Sequence, residues 1–491
     1  MSTKPKRPNL LIFMSDQEQS DPHRPDHPCR TPHADRLAAG GIRFSQTYCP
    51  AAHCCPSRAT FFTGLAPSRH GIFNNVSTNT AIHLGLNPGV TTFSEQLRDA
   101  GYDLAFTGKW HISDDENPSD RGWREIGPVT CRATHQRRRQ PGVFRPNPQH
   151  APATGISRGK GWIQREGWPD FRLYGTMEPG EVHPDRPVID AALAELPVLA
   201  QAREEEDRPW CLFIGVFGPH DPFCLPEEYA TLYDPDSITL PASFNDRMED
   251  KPAIYRRQRK QVWDQLTERE HREAIAHYWG YCTYVDHMFG EILDALEATG
   301  QSRETLVVRT SDHGEYAGAH GLYLKGAPAF REGYQVPLIL RWPEEQSHAG
   351  YTEAAFAQIA DLAPTLLDAA GVTPDATLSG RSLLPFLRKE PPADWPDHVC
   401  TQFNGVESYY TQRTIRTADW ACTLNGFDFD ELYDLRQDPH EMRNLAADSA
   451  YDEIKRALLR KLWAYAQREK DYIFNDYATV ALAPLGPHCL S

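Results

Sequence analysis

Two hydrophobic rhythms alternate along the chain. Residues 9–16, NLLIFMSD, form a nearly unbroken apolar run, the pattern of a strand buried on both faces. The next segment, TPHADRLAAGG (31–41), instead reads as a helix, with Thr31 as N-cap, Pro32 at the first helical position and Gly40 near the stop. The cycle repeats in TTFSEQLRDAGYDLAFTGKWH (91–111), where a short amphipathic helix ends at Gly101 and a strand feeds into Lys109. WCLFIGVFGPHDPF (210–223) reads as a further buried strand, ending at His220. Apolar residues keep helical spacing from about Glu268 to Gly300; TLVVRTSDHG (305–314) and VPLILRWP (336–343) then return to strand. The text around FAQIADLAPTLLDAAGV predicts a helix from about Thr352 to Gly371.

Strands alternating with helices predict an α/β layered domain with a large, mainly parallel sheet between helices. Such sheets bind ligands beyond the carboxyl ends of their strands. Asp16, Lys109, His220 and Asp312 all fall where a predicted strand runs out, which joins them into one expected pocket. A boundary near Pro374 divides a main domain, 1–374, from a smaller α+β domain, 375–491. The latter is expected to hold antiparallel strands (HVCTQFNG, RTIRTADWACTLN, DELYDLRQDP) and a closing helix, AYDEIKRALLRKLWAYAQREKDY. An insertion at about 130–178 concentrates Arg, Pro, Gly and Trp without periodicity; it reads equally as a solvated basic loop or as a holder of an anionic substrate.

Length and charge narrow the class. A chain of 491 residues exceeds what one core normally supports, and 40% hydrophobic residues suffice to fill a large one. A formal charge of -16 argues against nucleic acid as a partner. The apolar part of the amino terminus, LLIFM, is too short for a secretory signal, and no run is long enough to span a membrane. Eleven cysteines, odd in number and scattered, read as reduced thiols, which leads to an expected cytoplasmic location.

The chemistry begins at HCCPSRATFFTG, residues 53–64. A cysteine is a good nucleophile only as a thiolate, and a buried one is ordinarily inert. The string Cys54, Cys55, Pro56, Ser57, Arg58, continuing to Thr63 and Gly64, resembles the signature of the type I, formylglycine-dependent sulfatases of the alkaline phosphatase superfamily. That resemblance implies an alkaline phosphatase-like fold. It also implies oxidation of Cys54, rather than Cys55, to formylglycine by a separate maturation enzyme. A hydrated aldehyde carries two hydroxyls on one carbon: one attacks sulfur, and the other later loses its proton and expels sulfate. Metal coordination is one way to activate a hydroxyl. By the same resemblance, Asp16, Gln17, Asp312 and His313, together with residue 54, are the metal ligands. The family generally carries an aspartate and an asparagine where this chain has Gln17 and His313, and the variant resembles the phosphonate monoester hydrolase and choline sulfatase branch. The family implies calcium; an imidazole ligand also admits manganese or zinc.

TGKWHI supplies Lys109 and His111, which resemble the family pair in which the lysine binds a sulfate oxygen and the histidine assists regeneration of the nucleophile. Residues two apart on an extended segment point to one side, so both can face the pocket. His220, from GPHDPF, resembles a group that protonates the leaving oxygen or binds sulfate, and Lys325, from GLYLKG, adds positive charge. Arg58 and the two lysines are fixed cations for the charged oxygens of the transition state. The resemblance runs through QVPLILRWP, DLAPTLLDAAGV, GRSLLPFL and ELYDLRQDPHEMRNLA, nearly the whole chain. The expected activity is hydrolysis of a sulfate monoester, with a sulfated carbohydrate, an aryl sulfate and a small alkyl sulfate all open as substrate. The alternatives are a phosphonate monoester or phosphodiester hydrolase, motivated by Gln17 and His313, and a non-catalytic binding protein that keeps the fold. A homo-oligomer is compatible with the sequence.

Overall fold

The computed structural model describes residues 7–78, 80–131, 158–165, 170–406, 408–426 and 428–490. Eight strands form the central sheet: β1 (Asn9–Ser15), β2 (Ile42–Tyr48), β3 (Asp103–Lys109), β4 (Arg124–Thr130), β5 (Trp210–Gly215), β6 (Thr305–Ser311), β7 (Leu338–Arg341) and β8 (Tyr351–Gln358). Their order is β8-β2-β7-β6-β1-β5-β3-β4. Every neighbouring pair is parallel except those made by β7, which runs antiparallel to both β6 and β2.

Period-2 alternation in β1 sends its side chains to two cores. Leu11 and Phe13 enter one, packed with Phe289 and Leu293 of the long helix; Leu10, Ile12 and Met14 enter the other, with Phe61 and Phe62. Burial on both faces explains the nearly unbroken apolar run, because neither side of β1 meets water. The helices that cover the sheet include α1 (Pro32–Ala39), α2 (Cys54–Thr63), α3 (Phe93–Asp99), α4 (Arg186–Glu206), α5 (Glu268–Ala298) and α6 (Leu362–Ala369). The sequence placed α1 correctly, but its cap differs. Thr31 makes no side-chain cap bond; the carboxylate of Asp286, from α5, accepts the N–H groups of His33 and Ala34, both at 2.8 Å. That tertiary cap ties α1 to α5 and satisfies two otherwise orphaned donors.

Two expectations need correction. The helix expected from about Thr352 begins as strand: β8 pairs with β2 from Tyr351↔Ile42 to Gln358↔Tyr48, and α6 starts only at Leu362. Edge pairing with β2 overrides the alanine-rich helical propensity of YTEAAFAQ. Strand β5 stops at Gly215, so His220 lies on the following loop rather than at a strand end. That loop is held by Asp185, whose two oxygens accept Phe217 N (2.6 Å) and Gly218 N (2.7 Å).

Beyond the main sheet, β9 (His398–Phe403), β10 (Gln412–Thr417), β11 (Trp420–Asn425) and β12 (Glu431–Asp434) form a fully antiparallel sheet. Helix α7 (Asp452–Arg468) closes over it through Leu458, Leu459, Leu462 and Trp463. Of the arginine-rich insertion, residues 132–157 and 166–169 lie outside the described residues. All eleven cysteines are free, and no helix among the described residues is long and apolar enough to cross a membrane.

Candidate active site

Register brings the first two acids together. Strands β1 and β6 pair in parallel and in phase, from Asn9↔Thr305 to Ser15↔Ser311, so the next residues, Asp16 and Asp312, emerge side by side. Asp312 N donates to Ser15 O (3.3 Å), and Gln17 N donates to Asp312 Oδ1 (3.2 Å). Both aspartates are fully buried.

Helix α2 points its amino terminus at this pair. His53 is extended (φ -149°, ψ 147°), Cys54 is the first helical residue, and Pro56 sits in the first turn, where its missing N–H costs nothing. Gly64, in the left-handed region at φ 67°, ends the helix. Ser57 Oγ donates to Asp312 O at 2.5 Å, pinning the first turn to the end of β6. Cys54 Sγ then lies 3.2 Å from His313 Nε2 and 3.7 Å from Asp16 Oδ1. One ligating atom from each of Asp16, Cys54, Asp312 and His313 lies within 4.8 Å of the others, and all four residues are buried. His313 Nδ1 is engaged by Gly314 O (2.9 Å), which turns Nε2 toward the cluster.

The fifth expected ligand, Gln17, directly follows Asp16. Both ends of the Gln17 side-chain amide are taken by protein groups: Nε2 donates to Glu315 Oε2 (2.6 Å) and Asp221 Oδ1 (3.0 Å), while Oε1 accepts from Lys325 Nζ. The amide thus links the end of β1 to Lys325.

The cations surround these donors. Arg58, four residues after Cys54 and therefore on the same face of α2, donates from Nε to Asp312 Oδ2 (2.7 Å) and from Nη1 to Lys109 O (2.8 Å). Lys109, the last residue of β3, donates to Asp16 Oδ2 and lies over the Phe217 ring at 5.1 Å. His111 also reaches Cys54, but its backbone is left-handed at φ 59°, so the shared orientation of residues 109 and 111 does not come from a continued strand. Its Nε2 meets Ser77 Oγ at 3.0 Å. His220 Nδ1 donates to Asp221 O (2.8 Å), leaving Nε2 to accept from Lys325 Nζ at 2.6 Å.

Electrostatics follow from that packing. Burial alone would push the Cys54 thiol up, yet Lys109, Lys325 and His313 hold it well below the ordinary range. Its position at a helix amino terminus acts in the same direction. Asp16, opposed by burial and by Cys54, is nevertheless held below the usual carboxylate range by Lys109 and His220. Burial would lower His313, but Asp312 and Cys54 lift it to about 10.

Several residues of the site carried no motif. Ser77 orients His111, Asn75 Oδ1 accepts Cys55 N (3.0 Å), and Asp221 and Glu315 orient Gln17. Asp221 and Glu315 each stand within two residues of a residue singled out from sequence, His220 and His313, and that proximity was the available signal. Asp185 and Ser77 had none.

Comparison with known proteins fits this geometry. The sulfatase family model matches residues 8–372, which includes every residue described above as part of the cluster and its cations. The chain belongs to the sulfatase family. It is therefore a sulfuric ester hydrolase of the alkaline phosphatase superfamily. A second model, for the C-terminal part of N-sulphoglucosamine sulphohydrolase, matches residues 318–468. The multifunctional alkaline phosphatase superfamily protein PehA of Trinickia caryophylli is 27% identical over 96% of this chain and 97% of its own. An N-acetylglucosamine-6-O-sulfatase of Bacteroides thetaiotaomicron is 26% identical over 96% and 88%. The phosphonate monoester hydrolase of Agrobacterium radiobacter shares the fold, with a TM-score of 0.75 and 24% identity over 94% of this chain and 96% of that one.

Proposed function

We propose that this sulfatase hydrolyses a sulfate monoester at residue 54 after conversion of Cys54 to formylglycine, with one divalent cation held by Asp16, Gln17, Asp312, His313 and residue 54. The convergence of the buried side chains of Asp16, Cys54, Asp312 and His313 beneath Arg58, Lys109, His220 and Lys325 carries the reading. The donor set suits a cation: two carboxylates, residue 54, which offers oxygen once converted, and an imidazole whose Nε2 faces them while Gly314 O holds its Nδ1. Bound there, the ion supplies Lewis acidity and the formylglycine hydrate supplies paired hydroxyls, one for attack and one for release. Calcium is the proposed ion, and the imidazole makes manganese and zinc the ones to compare with it.

The remaining work falls to the chain's own groups. Lys109 and Arg58 anchor Asp16 and Asp312 and set positive charge where sulfate oxygens become more negative. Lys325, resting on His220 Nε2 and Gln17 Oε1, is a cation at the rim that an anionic substrate can draw inward. Such a displacement frees His220 Nε2 to carry a proton to the leaving oxygen, while Asp221 O keeps the ring oriented through Nδ1. His111, held by Ser77, stands beside residue 54 to accept a proton during regeneration. The likeness to an N-acetylglucosamine-6-O-sulfatase supports a sulfated carbohydrate as substrate.

Gln17 and His313 support phosphonate monoester hydrolysis as the second reading, in keeping with the phosphonate hydrolase among the structural neighbours. Enzyme co-produced with a formylglycine-generating partner is tested on aryl sulfate and aryl phosphonate esters with the same leaving group. A larger kcat/KM on the sulfate is expected; a preference for the phosphonate would replace the first reading by the second.

A further inference from the structure

His53 stands one residue before Cys54 and is buried, yet neither of its ring nitrogens has a hydrogen-bond partner among the described residues. Buried polar groups are nearly always paired, so an imidazole with two unmatched nitrogens needs a reason. The ring is firmly held. His53 N donates to Ala51 O at 2.8 Å, and Gln402 N, from β9, donates to Pro50 O at 2.7 Å. The imidazole lies flat against the Phe403 ring, with 5.2 Å between centroids and 7° between planes. Tyr410 packs on Phe403 in turn, at 5.6 Å. Strand β9 of the antiparallel sheet thus fixes the side chain that precedes the nucleophile.

The surroundings of the ring place it in the site. The charges that act on it are those of Lys325 first, then Cys54, His313 and His220, all of them groups that serve the proposed reaction. Burial beside the ammonium of Lys325 keeps the ring neutral, with one N–H and one bare nitrogen. A sulfate oxygen carries no proton, so the bare nitrogen would only repel it. A hydroxyl both donates and accepts, and it matches the two nitrogens in kind.

We infer that His53 is a specificity-determining residue: its donor and acceptor nitrogens bind hydroxyl groups of the leaving alcohol, so that the site selects sugar-like sulfate esters over plain aryl ones. The inference rests on the sulfate-ester reading above. It deepens that reading by assigning the class of the leaving alcohol to one side chain outside the ligand set and its cations.

His53→Phe keeps a ring to stack on Phe403 and removes both nitrogens. Enzyme carrying formylglycine is compared on N-acetylglucosamine 6-sulfate and 4-nitrophenyl sulfate. For the sugar ester kcat/KM should fall about ten- to a hundredfold further than for the aryl ester, because the sugar hydroxyl is left without its partner. The thermal midpoint should hold or rise, since an apolar ring needs no partner there. A purely structural histidine would instead lower the midpoint and both rates together. His53→Gln, which restores a donor and an acceptor, should recover part of the preference for the sugar.

Deoxy analogues of the sugar ester serve on wild-type enzyme even if the variants fold poorly. Loss of the hydroxyl that meets His53 should cost wild type about as much as His53→Phe costs on the intact sugar, and His53→Phe should be indifferent to that loss. Equal losses on both esters, no loss on either, or a wild type indifferent to every sugar hydroxyl would overturn the inference. A wild type inactive on sulfate esters altogether would defeat the functional reading instead. Calorimetric binding of the two esters to wild type and His53→Phe would then still decide whether His53 meets the sugar.

Discussion

Arg58 Nε donates to Asp312 Oδ2 at 2.7 Å, and both side chains are fully buried. This contact couples the helix that begins with Cys54 to the strand end that carries the proposed metal ligands. Arg58 also caps Lys109 O, so one guanidinium fixes three of the segments that build the site. Removing one partner of a buried pair leaves the other charge uncompensated, at a cost of about 3 to 5 kcal/mol. Arg58→Ala should therefore lower unfolding stability by that amount as well as abolish turnover, as chemical denaturation and sulfate release will measure. Arg58→Lys retains the charge but lacks the fork that reaches Asp312 and Lys109 O together, so activity should fall further than stability.

Cys54→Ala removes the reactive position and leaves the Arg58–Asp312 and Lys109–Asp16 pairs in place. Activity should drop at least a thousandfold while the thermal unfolding midpoint stays within a few degrees of wild type. Asp312→Asn should be nearly as inactive and less stable, since it also discharges the partner of Arg58. Unchanged rates in either variant would contradict the roles assigned to residue 54 and Asp312.

Gly108 precedes Lys109 on β3, at φ +99°, and a Cβ there would stand 1.9 Å from Gly215 O. Gly108 pairs with Gly215 where β3 meets β5, so only glycine permits the strands to approach at this point. Gly108→Ala is expected to cost more than about 2 kcal/mol, from left-handed strain plus displaced backbone. Lys109 should lose its register with Asp16, so residual activity should fall more than the folded fraction does. Circular dichroism and kcat measured on the same preparation separate the two losses.

His70 gives a pH prediction of defined sign. Burial pushes its pKa down from 6.5 to about 3. Ile72 N donates to Nδ1 (3.0 Å), so the neutral ring keeps its proton on Nε2, beside Thr60 Oγ1 (3.0 Å). Below pH 6.5 the unfolded chain takes up a proton that the native state refuses, so the His70 contribution to stability is lost as pH falls from about 6.5 toward about 3. Between pH 7.5 and 5 that amounts to about 2 kcal/mol. In His70→Gln the pH-dependent part disappears, and the stability difference from wild type should shift by this amount over the interval. A difference independent of pH would contradict the assignment.

The sequence was most informative where local pattern and tertiary role agree. Apolar runs such as LLIFM and TLVVR mark strands buried on both faces, and the polar residue that ends each run falls at the carboxyl edge of the sheet, as Asp16 and Asp312 do. The Cys54–Arg58 string was legible because its spacing needs only one helical turn. What escaped depends on partners far along the chain. YTEAAFAQ has helical propensity and becomes strand only because β2 offers an edge. Gln17 is legible beside Asp16, but Glu315 and Asp221, which accept from its amide nitrogen, come from distant turns. Asp185, which holds the loop of His220, sits at the start of a helix and resembles an ordinary cap.

The central claim is that residue 54 becomes the reactive aldehyde within a cluster built from strand ends. Peptide mass analysis of the segment containing residue 54, in enzyme co-produced with the maturation partner, tests it when paired with sulfate release from the same sample. The account predicts that activity rises in proportion to the fraction of aldehyde at residue 54. Full activity from protein whose Cys54 remains an intact thiol would contradict it.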